Sequence, residues 1–281
     1  MISQVRPLDP ETDATQALEG GHVHLLSAPV FALGDRERPL LSSAVLAKGK
    51  NVSFDPSSGT VGGSALHGEA ARHLQGMLAR FSDEANALVG CVLPGYREHL
   101  RRGRTSFRPI EAAGRASSWR KDDSRLHIDS FPASPVRGHR ILRVFANMNP
   151  EGRPRSWRIG EDFEAVGRRF APRLQMPRPG VSLVLRALGI TKSRRSAYDA
   201  VMLQLHDLMK ADTAYQAGAP QTSFDFPAGS TWMAFTDQVS HAAMAGQYQL
   251  EQTFLLPAEA MRAPERSPLR ILERLLSRSL V

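Results

Sequence analysis

Cysteine is almost missing from this chain of 281 residues; Cys91 is the only one. A single thiol excludes an intrachain disulfide and a clustered cysteine zinc site, and it fits a reducing compartment. Long apolar runs are missing too. No stretch reaches about 18 continuous apolar residues, so a spanning helix is not expected. Met1 to Pro10 lacks the basic-then-apolar order of a secretory signal. Aromatic residues make up only 7%, which argues against a stacking platform for single strands. Zinc-finger spacing and basic–aromatic RNA-binding signatures are absent as well, so no nucleic-acid partner is expected. Acidic residues are the minority charge, 28 against 36 Lys and Arg, for a net +8. That excess points to an anionic ligand or an anionic membrane surface.

The chain does have an ordinary apolar fraction of 42%, enough for one sizeable core. No linker separates two independent units, so one domain over 1–281 is expected, with a flexible N-terminus at 1–20. Leu66, Ala70, His73, Leu74, Met77, Leu78 and Phe81 recur at helical spacing, which predicts a helical decoration at 66–89, with Ser82 capping a second piece. A second decoration is expected at 188–212, where Ser196 and Asp199 resemble a cap before the stripe Met202, Leu205, Leu208 and Met209. Glu161 to Phe170 reads as a further helix, and the Gly/Ser-rich stretch Asn51 to Ser64 as loop. Strands are expected within His22–Leu33, Gly138–Pro150, Phe224–Phe226, Thr231–Asp237 and Gln247–Leu255. A mainly β chain with flanking helices and many short strands suits a cupin-like double-stranded β-helix, or jelly roll.

The chemistry is concentrated in Arg125-Leu126-His127-Ile128-Asp129. In a strand, residues two apart share a face, so His127 and Asp129 can grip one metal while Ile128 enters the core. His241 lies 114 residues beyond His127 and completes two histidines and one carboxylate. That set holds mononuclear non-heme iron(II) with open positions for a cosubstrate and dioxygen. Oxygen activation needs two electrons beyond those of iron(II), and a 2-oxo acid such as 2-oxoglutarate supplies them by oxidative decarboxylation. Its far carboxylate needs a cation, and the planar arginine fork matches it. Arg143 is the first choice, because an arginine inside an apolar strand calls for a partner. Asn147 shares its face and can donate to the same carboxylate. Asp237 could fix the tautomer of a ligating histidine or only shape the turn before it. His206, on a helix, and His139 are read as non-ligands. Arg97, Arg101, Arg102, Arg104, Arg120 and Lys121 are read either as a solvated face or as an anion-binding wall, with Arg108 and Arg115 continuing the basic run.

The run from Asp122 to Pro132, the run His139 to Phe145 with Asn149-Pro150, and the run Thr236 to Ala242 together resemble the bacterial 3-deoxy-D-manno-oct-2-ulosonic acid (Kdo) hydroxylases, from about Leu88 to Leu256. The resemblance implies a jelly-roll dioxygenase dependent on iron(II), 2-oxoglutarate and O2, with His127, Asp129 and His241 as iron ligands. It implies hydroxylation at carbon 3 of Kdo on lipid A to give D-glycero-D-talo-oct-2-ulosonic acid. A cytoplasmic location at the inner face of the inner membrane is implied with it. Many related oxygenases carry an anchoring arginine some ten residues beyond the distal histidine. Here Leu250, Glu251 and Gln252 stand in that neighbourhood, which strengthens the case for Arg143. The resemblance further implies that Arg97, Arg101, Arg102, Arg104, Arg120 and Lys121 meet the Kdo carboxylate and lipid A phosphates. Whether the chain forms a homo-oligomer stays open. The competing readings are another 2-oxoglutarate oxygenase acting on a protein or small molecule, and a non-catalytic jelly roll that binds anionic glycan or lipid.

Overall fold

The computed structural model describes residues 4–8, 13–26, 29–115, 117–178 and 180–281. In chain order the elements are β1 (Val5–Leu8), α1 (Ala14–Glu19), β2 (Val23–Leu26), β3 (Val52–Asp55), β4 (Thr60–Gly62), α2 (Gly68–Val92), β5 (Arg101–Arg108), β6 (Arg140–Asn147) and β7 (Arg155–Ile159). They continue with α3 (Phe163–Phe170), α4 (Val181–Ala187), α5 (Ala197–Ala211), α6 (Thr213–Gly218), β8 (Thr222–Phe226), β9 (Thr231–Phe235), β10 (His241–Ala245), β11 (Gln249–Leu256) and α7 (Pro268–Leu276). The strands form an eight-stranded sheet in the order β1-β2-β9-β6-β11-β5-β3-β4 and a three-stranded sheet β10-β7-β8. An isolated antiparallel bridge between His127 and His241 adds a fourth extended segment beside β10. The two sheets face each other as a jelly roll.

Period-two alternation builds the layers. On β6, Leu142, Val144 and Ala146 turn outward under helices, while Phe145 turns into the space between the sheets. There Trp232 of β9 stacks on Phe226 of β8 at 4.1 Å, and Phe145 meets Trp157 of β7 edge-on at 5.1 Å. Such offset and edge-to-face pairs add to the burial of large rings. The long helix α2 lays Leu74, Met77, Leu78 and Phe81 on the back of the large sheet. The helices α3, α5 and α7 cover the small sheet and receive Leu126 and Ile128.

Several expectations change at the level of elements. Asn51 to Ser64 is not loop but the hairpin β3–β4, because Val52 and Phe54 alternate into the core and the glycines and serines occupy its turn and edge. Ser82 caps nothing; it lies inside α2, where its hydroxyl accepts from Arg102 at 3.4 Å. The first twenty residues, expected to be loose, include β1 paired with β2 and an α1 that buries Leu18; residues 1–3 and 9–12 lie outside the described set. The Ser196–Asp199 capping box at the start of α5 is formed in both directions.

Candidate metal centre

His127 and Asp129 sit on an extended segment rather than a full strand, tied to the small sheet by two reciprocal backbone bonds. His127 N donates to His241 O at 3.0 Å, and His241 N donates to His127 O at 2.9 Å. The Asp129 N–H donates to Thr236 O at 2.8 Å. Alternation then sends His127 and Asp129 inward and Ile128 into the helical layer. One ligand atom from each of His127, Asp129 and His241 lies within 4.8 Å of the others.

The histidine tautomers follow from their partners. Nδ1 of His127 lies 2.8 Å from Arg125 O, and Nδ1 of His241 lies 2.8 Å from Val239 O. A carbonyl oxygen only accepts, so each Nδ1 carries the proton and each Nε2 presents a lone pair. Burial, reinforced by His241 and Lys210, holds His127 well below the usual 6.5, and burial lowers His241 as well. Both rings are therefore neutral at neutral pH. Burial raises Asp129, but the Arg143 guanidinium beside it prevails and keeps the carboxylate ionised. Its Oδ2 is buried and accepts no hydrogen bond; Arg143 Nε stands 3.3 Å away. Two neutral imidazoles and one unsatisfied carboxylate oxygen fit a divalent ion such as iron(II).

These ligands open onto a cavity of about 350 Å³. Seven cations line it (Lys50, Arg108, Arg120, Lys121, Arg143, Arg155 and Lys210) against three carboxylates, Asp123, Asp129 and Glu251. Arg108 grips Glu251 with two bonds at 3.0 and 3.1 Å. Arg143 reaches Glu251 at 3.6 Å as well as Asp129. Lys50 and Arg115 pair with Asp123, the latter at 3.2 Å. Arg155 differs. It is buried, its Nη1 donates to Gly246 O at 2.7 Å, and among the described residues its Nε has no hydrogen-bond partner and no carboxylate pairs with it. Burial and the neighbouring Arg108 push it down to about 10, so it remains charged. Gly246 allows this contact: at φ 108° an added Cβ would lie 2.8 Å from Pro154 O and 2.9 Å from Arg155 Cα. Beside Arg155 on the same face of β7, Trp157 stacks on the His241 ring at 5.0 Å.

The structure sorts the remaining candidates. Arg143, Arg120 and Lys121 line the cavity, while Arg97, Arg101, Arg102 and Arg104 do not. β5 runs eight residues, roughly 23 Å at about 3.3 Å each, and only its Arg108 end reaches the cavity. At the other end Arg102 pairs with Asp83 and Arg104 with Asp55, while Arg97 donates to Gly90 O. Asn147 faces inward as expected, but its amide donates to Arg153 O and Phe226 O and accepts from Asn149 N, so it braces a turn and does not line the cavity. Asp237 touches neither histidine; it forms a fully buried pair with Arg140 at 2.8 Å. His206 of α5 lines the cavity, with its ring 5.5 Å from that of His127 and its Nδ1 on Asp207. Lys50, Arg108, Arg155, Lys210 and His206 were not picked out as site residues from the sequence. For Arg155 a signal exists: the alternation Arg155, Trp157, Ile159 marks one inward face.

A jelly roll with two histidines and one carboxylate meeting at the floor of a cationic cavity defines a class, the mononuclear non-heme iron oxygenases. The comparisons narrow it. A model of the 3-deoxy-D-manno-oct-2-ulosonic acid (Kdo) hydroxylase family matches residues 2–279, and the chain belongs to that family. Crystal structures of the Kdo hydroxylase KdoO, a non-heme Fe(II) alpha-ketoglutarate dependent dioxygenase, superpose closely. The complex with alpha-ketoglutarate and Fe(III) has a TM-score of 0.95 at 45% identity, covering 99% of this chain and 98% of that one. The apo form gives 0.95 at 46%, with the same coverage. The complex with succinate and Fe(III) gives 0.94 at 45%, covering 99% and 97%. A comparison with curated protein sequences finds no match.

Proposed function

We propose that this chain hydroxylates carbon 3 of Kdo in Kdo-lipid A, giving D-glycero-D-talo-oct-2-ulosonic acid, with His127, Asp129 and His241 holding iron(II). With 2-oxoglutarate bound, that iron supplies the oxidising chemistry, dioxygen being the oxidant and succinate and CO2 the by-products. The observation that carries the reading is Arg155, a buried guanidinium with no carboxylate partner among the described residues, in the same cavity as the three metal ligands. An unpaired buried charge is costly, and a ligand carboxylate relieves it.

The chain's own residues have distinct tasks. Arg155 receives the far carboxylate of 2-oxoglutarate at the end of the cavity remote from His241. Arg143 orients Asp129 and adds positive charge along the cosubstrate's path, a narrower role than the first-choice anchor expected from sequence. Trp157 fixes the His241 ring by stacking and walls off water. Lys50, Arg120, Lys121 and Lys210 present cations to the sugar carboxylate and neighbouring phosphates. No helix among the described residues is long and apolar enough to cross a membrane; we infer peripheral contact with the cytoplasmic face of the inner membrane, where such a glycolipid would stand.

The deciding assay adds iron(II) and 2-oxoglutarate anaerobically, then oxygen and Kdo-lipid A. One oxygen gained by the lipid for each succinate is expected. Succinate without lipid change would keep the oxygenase and reject the substrate. Neither product from folded, iron-loaded protein would favour a binding module.

A further inference from the structure

Large apolar side chains in solvent are few among the described residues, and five of the six stand on one ten-residue stretch: Val181, Leu183, Val184, Leu188 and Ile190. Leu188 is 68% exposed and Val184 57%. On α4 only Ser182 and Leu185, three positions apart, are half-buried. Single exposed aliphatics are ordinary, but a contiguous cluster marks a contact surface. A seven-residue helix has little stability of its own, so this one is held by its flanks. Lys192 N donates to Ala133 O at 2.9 Å, and Arg195 Nη2 donates to Pro132 O at 2.7 Å. Pro132 and Phe131 line the metal cavity, so the apolar stretch is fastened to that cavity's rim.

Charge narrows the occupant. From Ala165 to Tyr198 the sequence contains no Asp or Glu and eight Arg or Lys. Arg168, Arg169 and Arg173 pair with carboxylates outside that interval, whereas Arg178, Arg186 and Arg194 have no carboxylate partner among the described residues. Against α4 lies a second cavity, of about 330 Å³, lined by Arg137, Ser182, Arg194, Arg195, Ser196 and Val281. Three guanidiniums and the Ser182 hydroxyl, with no acidic side chain in the lining, suit a phosphate group; the Ser196 hydroxyl is engaged by Asp199. Exposed aliphatics ringed by unpaired arginines match an anionic bilayer, whose acyl boundary takes the first and whose headgroups take the second.

We propose that residues 181–195 form the membrane-docking element. α4 lies in the bilayer interface, Arg137, Arg194 and Arg195 take lipid phosphates, and the metal cavity's rim is thereby held against the surface from which a glycolipid sugar projects. The proposal rests on the glycolipid reading of function. It gives a physical reason for an apolar helix to be tied to the loop that lines the metal cavity.

The test uses the full chain and co-sedimentation with vesicles of phosphatidylglycerol or of phosphatidylcholine. The wild type should bind the anionic vesicles and not the neutral ones. Val184→Ser with Leu188→Ser should weaken binding about tenfold or more, and Arg186→Gln with Arg194→Gln should erase the preference for anionic lipid. Turnover of vesicle-embedded Kdo-lipid A should fall in step, with turnover of detergent-dispersed substrate unchanged. Equal vesicle binding by wild type and the serine variant overturns the proposal, as does absence of binding by the wild type. A wild-type dimer that the serine variant loses, seen by light scattering, assigns the patch to a second copy and overturns it too. Vesicle binding that depends on these residues, in protein inert toward dispersed Kdo-lipid A, would sink the substrate reading and leave the docking element standing.

Discussion

Arg143 and Arg155 line the same cavity in opposite electrostatic states. Arg143 pairs with Asp129 and Glu251, while Arg155 donates to a carbonyl and makes no direct ion pair among the described residues. Arg155→Met should therefore raise the KM for 2-oxoglutarate about tenfold or more, because a charge-assisted pair is lost, with little change in the KM for sugar. Metal-free Arg155→Met should be at least as stable as the wild type in denaturant, since the variant removes a buried charge that has no direct ion-pair partner among the described residues. Arg143→Met should lose about 1–3 kcal/mol in the same measurement, because Asp129 loses its cation. An unchanged 2-oxoglutarate KM in Arg155→Met would place the anchor elsewhere. His127→Ala and Asp129→Ala should each abolish turnover and remove the spectroscopic signature of cobalt(II) titrated into the site, with far-ultraviolet circular dichroism preserved.

Elements position these groups through contacts remote from the metal. Arg140, at the start of β6, pairs with Asp237, donates to Gln238 and lies 3.9 Å over the Phe235 ring. It thus locks the turn between β9 and β10 that delivers His241. Arg140→Met leaves Asp237 buried without its cation and should cost about 3–5 kcal/mol by chemical denaturation. A loss within about 0.5 kcal/mol would show that the turn holds without the pair. The element scale also shows where local reading was sound. The Ser196–Asp199 box starts α5 because a hydroxyl and a carboxylate three apart satisfy each other's backbone donors. The apolar spacing of α2 is periodic for 25 residues. The β3–β4 hairpin was hidden because its turn residues outnumber the two apolar positions, Val52 and Phe54, that make it a strand pair.

Over the whole molecule, the site is a dense set of charges whose protonation couples to folding. His127 and His241 are held below 6.5 in the folded chain, so below that pH the unfolded chain binds protons that the folded one refuses. Stability of the metal-free protein should therefore fall from pH 7 to pH 5. Asp123, Asp129 and Glu251 are depressed below their ordinary 3.8, 3.8 and 4.5, burial opposing and the cavity's cations prevailing. Their contribution is fully present above those ordinary values and is lost as pH falls beneath them, so a second decline should follow in acid. Denaturant midpoints of metal-free protein between pH 7 and pH 3 check both stages; a flat midpoint from 7 to 5 would contradict neutral buried imidazoles. Metal at about one hundred times its Kd should add about 2.7 kcal/mol at neutral pH.

Period-two alternation is local, and the sequence alone determined what depends on it: His127 and Asp129 on one face with Ile128 on the other, Arg143 in line with Phe145, and a β-rich chain with helical covers. The choice of which cations share the cavity is not local. Lys50, Arg108, Arg155 and Lys210 come from a loop, β5, β7 and α5, and only the strand order β1-β2-β9-β6-β11-β5-β3-β4 facing β10-β7-β8 brings them together. Arg97 to Arg104 and Asn147 looked equally eligible along the chain. Tertiary structure set Arg101, Arg102 and Arg104 away from the cavity end of an eight-residue strand, left Arg97 before it, and gave the Asn147 amide three backbone partners, because a side chain's neighbours depend on pairings dozens of residues away.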